Sequence, residues 1–226
     1  MRMKRRTSQQ FLEECGISPG RAYAHAPPYK NFIWGDTSDE LKLRFLTALV
    51  REKFHDKKIL EIGTYRGTTT YNIAVNLSSG TIHTVDCGYE ELKALIEQEA
   101  PEHTNRIDYS SYDVGEVYKS YLPNCKSIKQ IIGNTTKKQT TKTLFKGSPY
   151  NLIYVDAAHT YDGIKNDTEI ALECIAQSGV IIWDDYNGWW AGVNKYLDEL
   201  SETLDLTYII DNRYVIHTNT KDGRTS

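Results

Sequence analysis

Residues 60–70 read Leu-Glu-Ile-Gly-Thr-Tyr-Arg-Gly-Thr-Thr-Thr, the end of an apolar run followed by a loop with two glycines, Gly63 and Gly67. A short apolar strand, a tight glycine turn and a helix start form the local unit on which parallel α/β sheets are built. The spacing G-x-x-x-G lacks the third glycine of a dinucleotide loop and the lysine of a P-loop, so a phosphate-cradling role is not indicated. The fold is decided by whether that unit repeats.

It does. After a helix expected over 38–54, with Ser38 as N-cap and a stripe of Leu41, Phe45, Leu46, Leu49 and Val50, apolar runs alternate with helical patterns. Strands are expected in 57–63, 80–87, 128–134, 150–158 and 179–186. Helices are expected in 68–78, 89–100, 137–145, 161–177 and 192–204. The chain closes on 206–210 and 214–218, separated by Asp211-Asn212-Arg213, and three residues cannot make a crossover, so this pair must be an antiparallel hairpin. The expected fold is α/β: a doubly wound, mostly parallel seven-stranded sheet with a C-terminal antiparallel hairpin.

Three segments follow: 1–37, irregular apart from a short helix near Ser8–Gly16; 38–219, the α/β domain; and 220–226, a tail. Pro27 and Pro28 preclude regular helix in the aromatic stretch 20–36, which is expected to serve as a lid or as a contact between copies in a homo-oligomer. The basic run Arg2, Lys4, Arg5 and Arg6 is expected to be a frayed, solvated tail.

Lys and Arg number 27 against 30 Asp and Glu, a balance that gives no support for a nucleic acid or an anionic membrane as partner. Four scattered cysteines form no C-x-x-C pair, which suits a reducing cytoplasm and argues against a zinc cluster. No apolar run is long enough to span a membrane, and no apolar stretch follows the basic N-terminus as a signal peptide requires.

In open α/β sheets ligands bind outside the carboxyl ends of the strands. The second strand ends at Asp86, 19 residues beyond Gly67, where a carboxylate can accept both hydroxyls of a ribose or can merely cap the next helix. The fourth strand ends at Asp156 and the fifth at Asp184 and Asp185. Three such carboxylates without a nearby basic residue would repel one another and call for a cation, Mg²⁺ being the hard-ion answer. The alternative is that one aspartate caps a helix and another turns outward.

The stretch Glu61 to Thr69 resembles motif I of class I S-adenosylmethionine-dependent methyltransferases. It is closest to the E-x-G-x-Y-x-G-x-S/T form of catechol O-methyltransferase-like enzymes and bacterial sugar O-methyltransferases (methyltransferase family 24), from about Lys57 to the last hairpin. The resemblance implies a Rossmann-like methyltransferase fold and a cofactor site of Glu61, Gly63, Thr64, Tyr65, Gly67, Thr69 and Asp86, with Asn134 or Thr135 near the adenine. The hydroxyl of Thr69 and the helix start would meet the methionine carboxylate.

Asp156, Asp184 and Asp185 resemble that group's metal-binding aspartates. His159 resembles the histidine of a D-x-x-H-x-Y signature and would either assist deprotonation or bond to backbone. The implied activity is O-methylation of a sugar or vicinal diol, Mg²⁺-assisted, with Asp156 as base. A metal-independent methyltransferase and a non-catalytic S-adenosylmethionine-binding protein are the alternatives. Trp189 and Trp190 would form an acceptor wall or pack in the core. The acceptor pocket is expected from the N-terminal segment and the loop 109–124.

Overall fold

In the computed structural model, which describes residues 3–18, 37–91, 93–94 and 113–220, each expected strand is present. They are β2 (Lys58–Ile62), β3 (Thr81–Asp86), β4 (Ile128–Ile132), β5 (Tyr150–Val155), β6 (Ile175–Trp183), β7 (Thr207–Ile209) and β8 (Tyr214–Thr218). An eighth, β1 (Lys4–Arg6), pairs in parallel with β7 at the sheet edge. The order is β1-β7-β8-β6-β5-β2-β3-β4. Strands β2 to β6 run parallel, whereas β8 is antiparallel to both β6 and β7.

After edge strand β1, the chain takes up the centre of the sheet at β2, moves outward through β3 and β4, and returns to the other side of β2 as β5. That reversal makes the carboxyl ends of β2 and β5 the switch point at which α/β sheets hold ligands.

Consecutive strand residues point to opposite faces, and both faces are covered. Ile59, Leu152 and Ile182 join one core with Phe45, Leu46, Leu49 and Ile73. Their neighbours Leu60, Ile153 and Ile181 join another with Ile164, Val193 and Leu197. The covering helices are α1 (Ser8–Glu14), α2 (Thr37–Leu49), α3 (Thr68–Ala74), α4 (Glu116–Tyr121), α5 (Lys138–Gly147), α6 (Tyr161–Cys174) and α7 (Ala191–Leu200). A π-helical turn, Val50–Phe54, extends α2.

The N-terminus corrects one expectation and bears out another. Lys4, Arg5 and Arg6 are not a frayed tail but the edge strand β1, with backbone paired to Thr207–Ile209 and Lys4 bridging Asp205 at 2.7 Å. The short helix expected near Ser8–Gly16 is present as α1, and it is capped. Thr7 accepts from the Gln10 amide at 3.2 Å, while the Gln10 side chain accepts from the Thr7 amide at 2.9 Å. Ser8 then donates through its amide and hydroxyl to Asp211, at 2.9 and 2.8 Å, fastening α1 to the β7–β8 turn. Arginine and lysine side chains leave an edge strand free to pair, and that pairing could not be read from composition.

The loop 109–124 contains α4, a second difference. The aromatic stretch 20–36 and most of the helix expected over 89–100 lie outside the described residues. All four cysteines are free thiols, and no helix among the described residues is long and apolar enough to cross a membrane.

Candidate active site

The loop from β2 to α3 is held from below by a buried polar network. Glu61 is fully buried, and one carboxylate oxygen, Oε2, accepts from the hydroxyls of Thr70 and Thr84, the latter at 2.5 Å. Thr64 pairs with Thr84 through their hydroxyls at 2.5 Å. The other oxygen of Glu61, Oε1, has no hydrogen-bond partner among the described residues. Burial pushes the Glu61 carboxyl up to about 8 against its two hydroxyl donors, with Asp156 and Asp86 adding to the rise.

Both glycines are required by close approach. A Cβ on Gly63, at φ +102°, would stand 1.9 Å from the carbonyl oxygen of Asp156. One on Gly67, at φ +81°, would meet the Tyr118 ring at 2.6 Å and the Gly115 Cα at 2.8 Å. The first glycine thus lets β2 and β5 end side by side. The second admits α4, which straps the loop through Gly115 N to Tyr65 O and Val117 N to Arg66 O, with Arg66 bridging Glu116 at 2.8 Å.

Tyr65, where a third glycine could stand, keeps the left-handed backbone at φ +46°. The Asp86 carboxylate holds it there, accepting from the Tyr65 amide at 2.6 Å. Burial raises the Asp86 pKa despite these amide donors.

Asn134, at the end of β4, accepts from Thr136 through its side-chain oxygen at 2.9 and 2.8 Å and donates to Glu91 at 3.2 Å. Thr135 donates to buried Asp167 at 2.6 Å. Both side chains thus shape the turn beside Asp86, where the Gly133 amide donates to the Asp86 carbonyl at 2.8 Å. Thr69 lies half-buried in the first turn of α3.

Asp156, Asp184 and Asp185 converge at the ends of β5 and β6, but not as three equivalent carboxylates. One oxygen each of Asp156 and Asp185 and a ring nitrogen of His159 lie within 4.8 Å of one another. His159 Nε2 is 3.0 Å from Asp185 Oδ2 and 3.9 Å from Asp156 Oδ1. Asp184 lies beside this group rather than in it. Its Oδ2 accepts from the Tyr154 hydroxyl at 2.7 Å and pairs with Lys42 Nζ at 2.6 Å. Lys42 also reaches Asp185 Oδ1 at 3.8 Å, and Arg213 lies 4.0 Å from the same oxygen.

The expected absence of a nearby basic residue is therefore corrected: lysine, arginine and histidine all face the cluster. The error lay in the register of α2. Lys42 occupies the head of the buried stripe Phe45, Leu46 and Leu49, whereas Leu41, assigned to that stripe, is 47% exposed. A lysine three and four residues before Phe45 and Leu46 was the available signal.

These contacts set the charges. Burial and its two aspartate neighbours push Asp156 up to about 7, with Lys42 and His159 opposing. Asp185 is also desolvated, yet His159, Lys42 and Arg213 hold it below the usual carboxylate range. Burial works against charge on Lys42 and His159, but the carboxylates outweigh it and raise both. His159 Nε2 thus pairs with Asp185, and among these groups Asp156 is the one whose carboxyl is brought to about 7.

Trp190 stacks on the His159 ring, with centroids 4.1 Å apart and planes at 27°. Trp189 stands 72% exposed at the rim. Asp185 and Arg213, which face each other, both adopt left-handed backbone, φ +62° and +65°, and the Tyr186 amide donates to the Arg213 carbonyl at 3.1 Å. Missed by sequence reasoning were Lys42, Arg213, Tyr154, Thr70, Thr84 and the α4 strap.

The family model described as a methyltransferase domain, methyltransferase family 24, matches residues 60–186, more than half of the chain. No curated protein sequence matches it. Among solved structures, the O-methyltransferase NovP is similar at a TM-score of 0.58 and 15% identity, covering 81% of this chain and 80% of that one. An O-methyltransferase from Bacillus cereus, in complex with SAH, gives 0.54 and 16%, covering 93% and 96%. The O-methyltransferase TomG from Streptomyces achromogenes, involved in tomaymycin synthesis and in complex with SAM, gives 0.53 and 17%, covering 89% of each chain. With a matching domain model, a loop–strand-end geometry of this kind and a sheet of this order, the chain belongs to methyltransferase family 24 and is a class I S-adenosylmethionine-dependent methyltransferase.

Proposed function

We propose that this methyltransferase acts on a hydroxyl oxygen of a small molecule with neighbouring oxygens, a sugar or another vicinal diol, and that Asp156 takes the proton. The observation that carries this reading is the position of Asp156. Its amide donates to the Ile62 carbonyl at 2.8 Å, its own carbonyl abuts Gly63, and its carboxylate enters the acidic cluster. One residue thus joins the cofactor loop to the place where an acceptor would lie. That the similar solved structures include O-methyltransferases supports the same reading.

The loop suits S-adenosylmethionine. Glu61 keeps a buried oxygen, Oε1, without a donor among the described residues, as a site receiving an ammonium would. Asp86 would accept ribose hydroxyls, and Thr69 would meet the methionine carboxylate. The cofactor supplies a methyl group on a sulfonium, displaced in line by the acceptor oxygen. What the chain contributes is alignment and removal of the proton.

Asp156, Asp185 and His159 offer two carboxylate oxygens and an imidazole nitrogen close enough to hold one divalent cation. A cation there would lower the pKa of a bound hydroxyl and fix its direction. Asp184, bound by Lys42 and Tyr154, would act behind that group by holding the end of β6. Trp189 would cover one side of the acceptor. Methyl transfer to a panel of sugars and catechols, with Asp156→Asn as control, tests the proposal. Product with none of them, or turnover unaltered in the variant, would overturn it.

A further inference from the structure

Lys42 is the one lysine among the described residues that is classed as buried, and it is buried against acids. Its side chain is 10% exposed, and its ammonium lies 2.6 Å from Asp184, 3.8 Å from Asp185 and 5.8 Å from the centre of the Tyr214 ring. A charge withdrawn this far from water persists when it is paired. Around the cluster, Lys42 and Arg213 reach Asp185 at 3.8 and 4.0 Å, and His159 lies 3.0 Å from the other oxygen of Asp185.

We infer that Lys42 is the resident counter-cation of this cluster and that it competes with a divalent ion for the carboxylates. The inference rests on the cation reading proposed above. An ion held by Asp156, His159 and Asp185 shares Asp185 with the ammonium and adds two positive charges beside it. To recruit Asp184 it must break the 2.6 Å pair and leave a buried ammonium unmatched. A cation is therefore admitted against resistance, and Asp184 stays with the lysine. The tether comes from α2, outside the strands that carry the acids, so docking of that helix and occupancy of the cation site are opposed processes. Lys42 acts here as a positioning residue.

The test is Mn²⁺ binding to the full chain, followed by electron paramagnetic resonance of the free ion. Lys42→Met keeps the apolar stem and removes the charge, and Lys42→Gln keeps a hydrogen-bond donor for Asp184. Either variant, once its thermal melt shows it folded, should bind Mn²⁺ about tenfold tighter or more, since one positive charge a few ångströms away has been removed. Lys42→Arg should restore the weaker binding of the wild type, which a purely structural role would not do. In the wild-type chain, Mg²⁺ should also shift the side-chain resonance of Lys42.

Equal or weaker Mn²⁺ binding in the neutral variants overturns the inference while leaving the cation reading intact. No Mn²⁺ binding by any of the chains overturns both. A Lys42 resonance unmoved at saturating Mg²⁺ also counts against the inference, and needs no variant to fold.

Discussion

Two groups of buried acids stand toward the carboxyl ends of β2 and β6, with β5 between them, and are handled in opposite ways. Glu61, under the glycine loop, is bound by two neutral hydroxyls, and burial, with Asp156 and Asp86 nearby, drives it toward the protonated form. At the end of β6, Lys42, Arg213 and His159 together hold Asp185 below the usual carboxylate range, while burial still raises Asp184 against Lys42. A buried carboxyl is held ionised where several cationic partners face it, as at Asp185, and tends to give up its charge where only dipoles are offered. On this comparison the first region is built to receive a positive charge from a ligand, and the second carries its own.

The largest effect expected from breaking the comparison is at the seam between the two regions. Gly63→Ala would place a methyl 1.9 Å from the Asp156 carbonyl, at a φ of +102° that alanine resists. We expect a loss of about 3 kcal/mol or more in stability, or no folded protein, read by chemical denaturation. A loss under about 1 kcal/mol would mean that β2 and β5 need not end side by side.

Asp156→Asn separates chemistry from binding. Turnover should fall by roughly two to four orders of magnitude, the range for losing a general base. S-adenosylmethionine affinity, measured by calorimetry, should stay within a few fold, and a parallel loss of affinity would place Asp156 in the cofactor site instead.

Glu61→Gln sharpens the contrast through pH. The folded chain holds the Glu61 proton up to about 8, while the unfolded chain releases it near the ordinary value of 4.5. Between those limits the folded state binds more protons, so this contribution is whole below about 4.5 and is lost as pH rises toward 8. Stability of the wild type relative to Glu61→Gln should therefore decline across that window in cofactor-free protein. A flat difference would show that Glu61 is ionised and that its orphaned oxygen has found another partner.

The smallest effect is expected at Tyr65→Gly. Relief of the left-handed backbone and the added chain entropy of glycine nearly cancel, leaving a change of under about 1 kcal/mol in a thermal melt. A larger loss would mean that the tyrosine ring, and not the backbone turn, is what the loop requires.

The alternation of apolar runs with helical patterns, the terminal hairpin and the acids at strand ends were all legible because each is written in neighbouring residues. The missing third glycine was legible too, as a departure, although only the fold shows that Tyr65 still takes the left-handed turn. Misread were features in which distant segments meet. A basic run became an edge strand because β7 offered it a free edge, and the loop 109–124 gave rise to a helix because Gly67 leaves room for it.

By itself, then, the sequence determined which residues stand at the carboxyl ends of β2, β3, β5 and β6, since strand periodicity and turn chemistry are local. Only the tertiary structure decided how those acids are charged. That depends on the rotation of α2 about its axis, which turns Lys42 inward and Leu41 outward, and on the hairpin turn that brings Arg213 to Asp185. Electrostatic pairing reads distance through space, and no spacing along the chain encodes it.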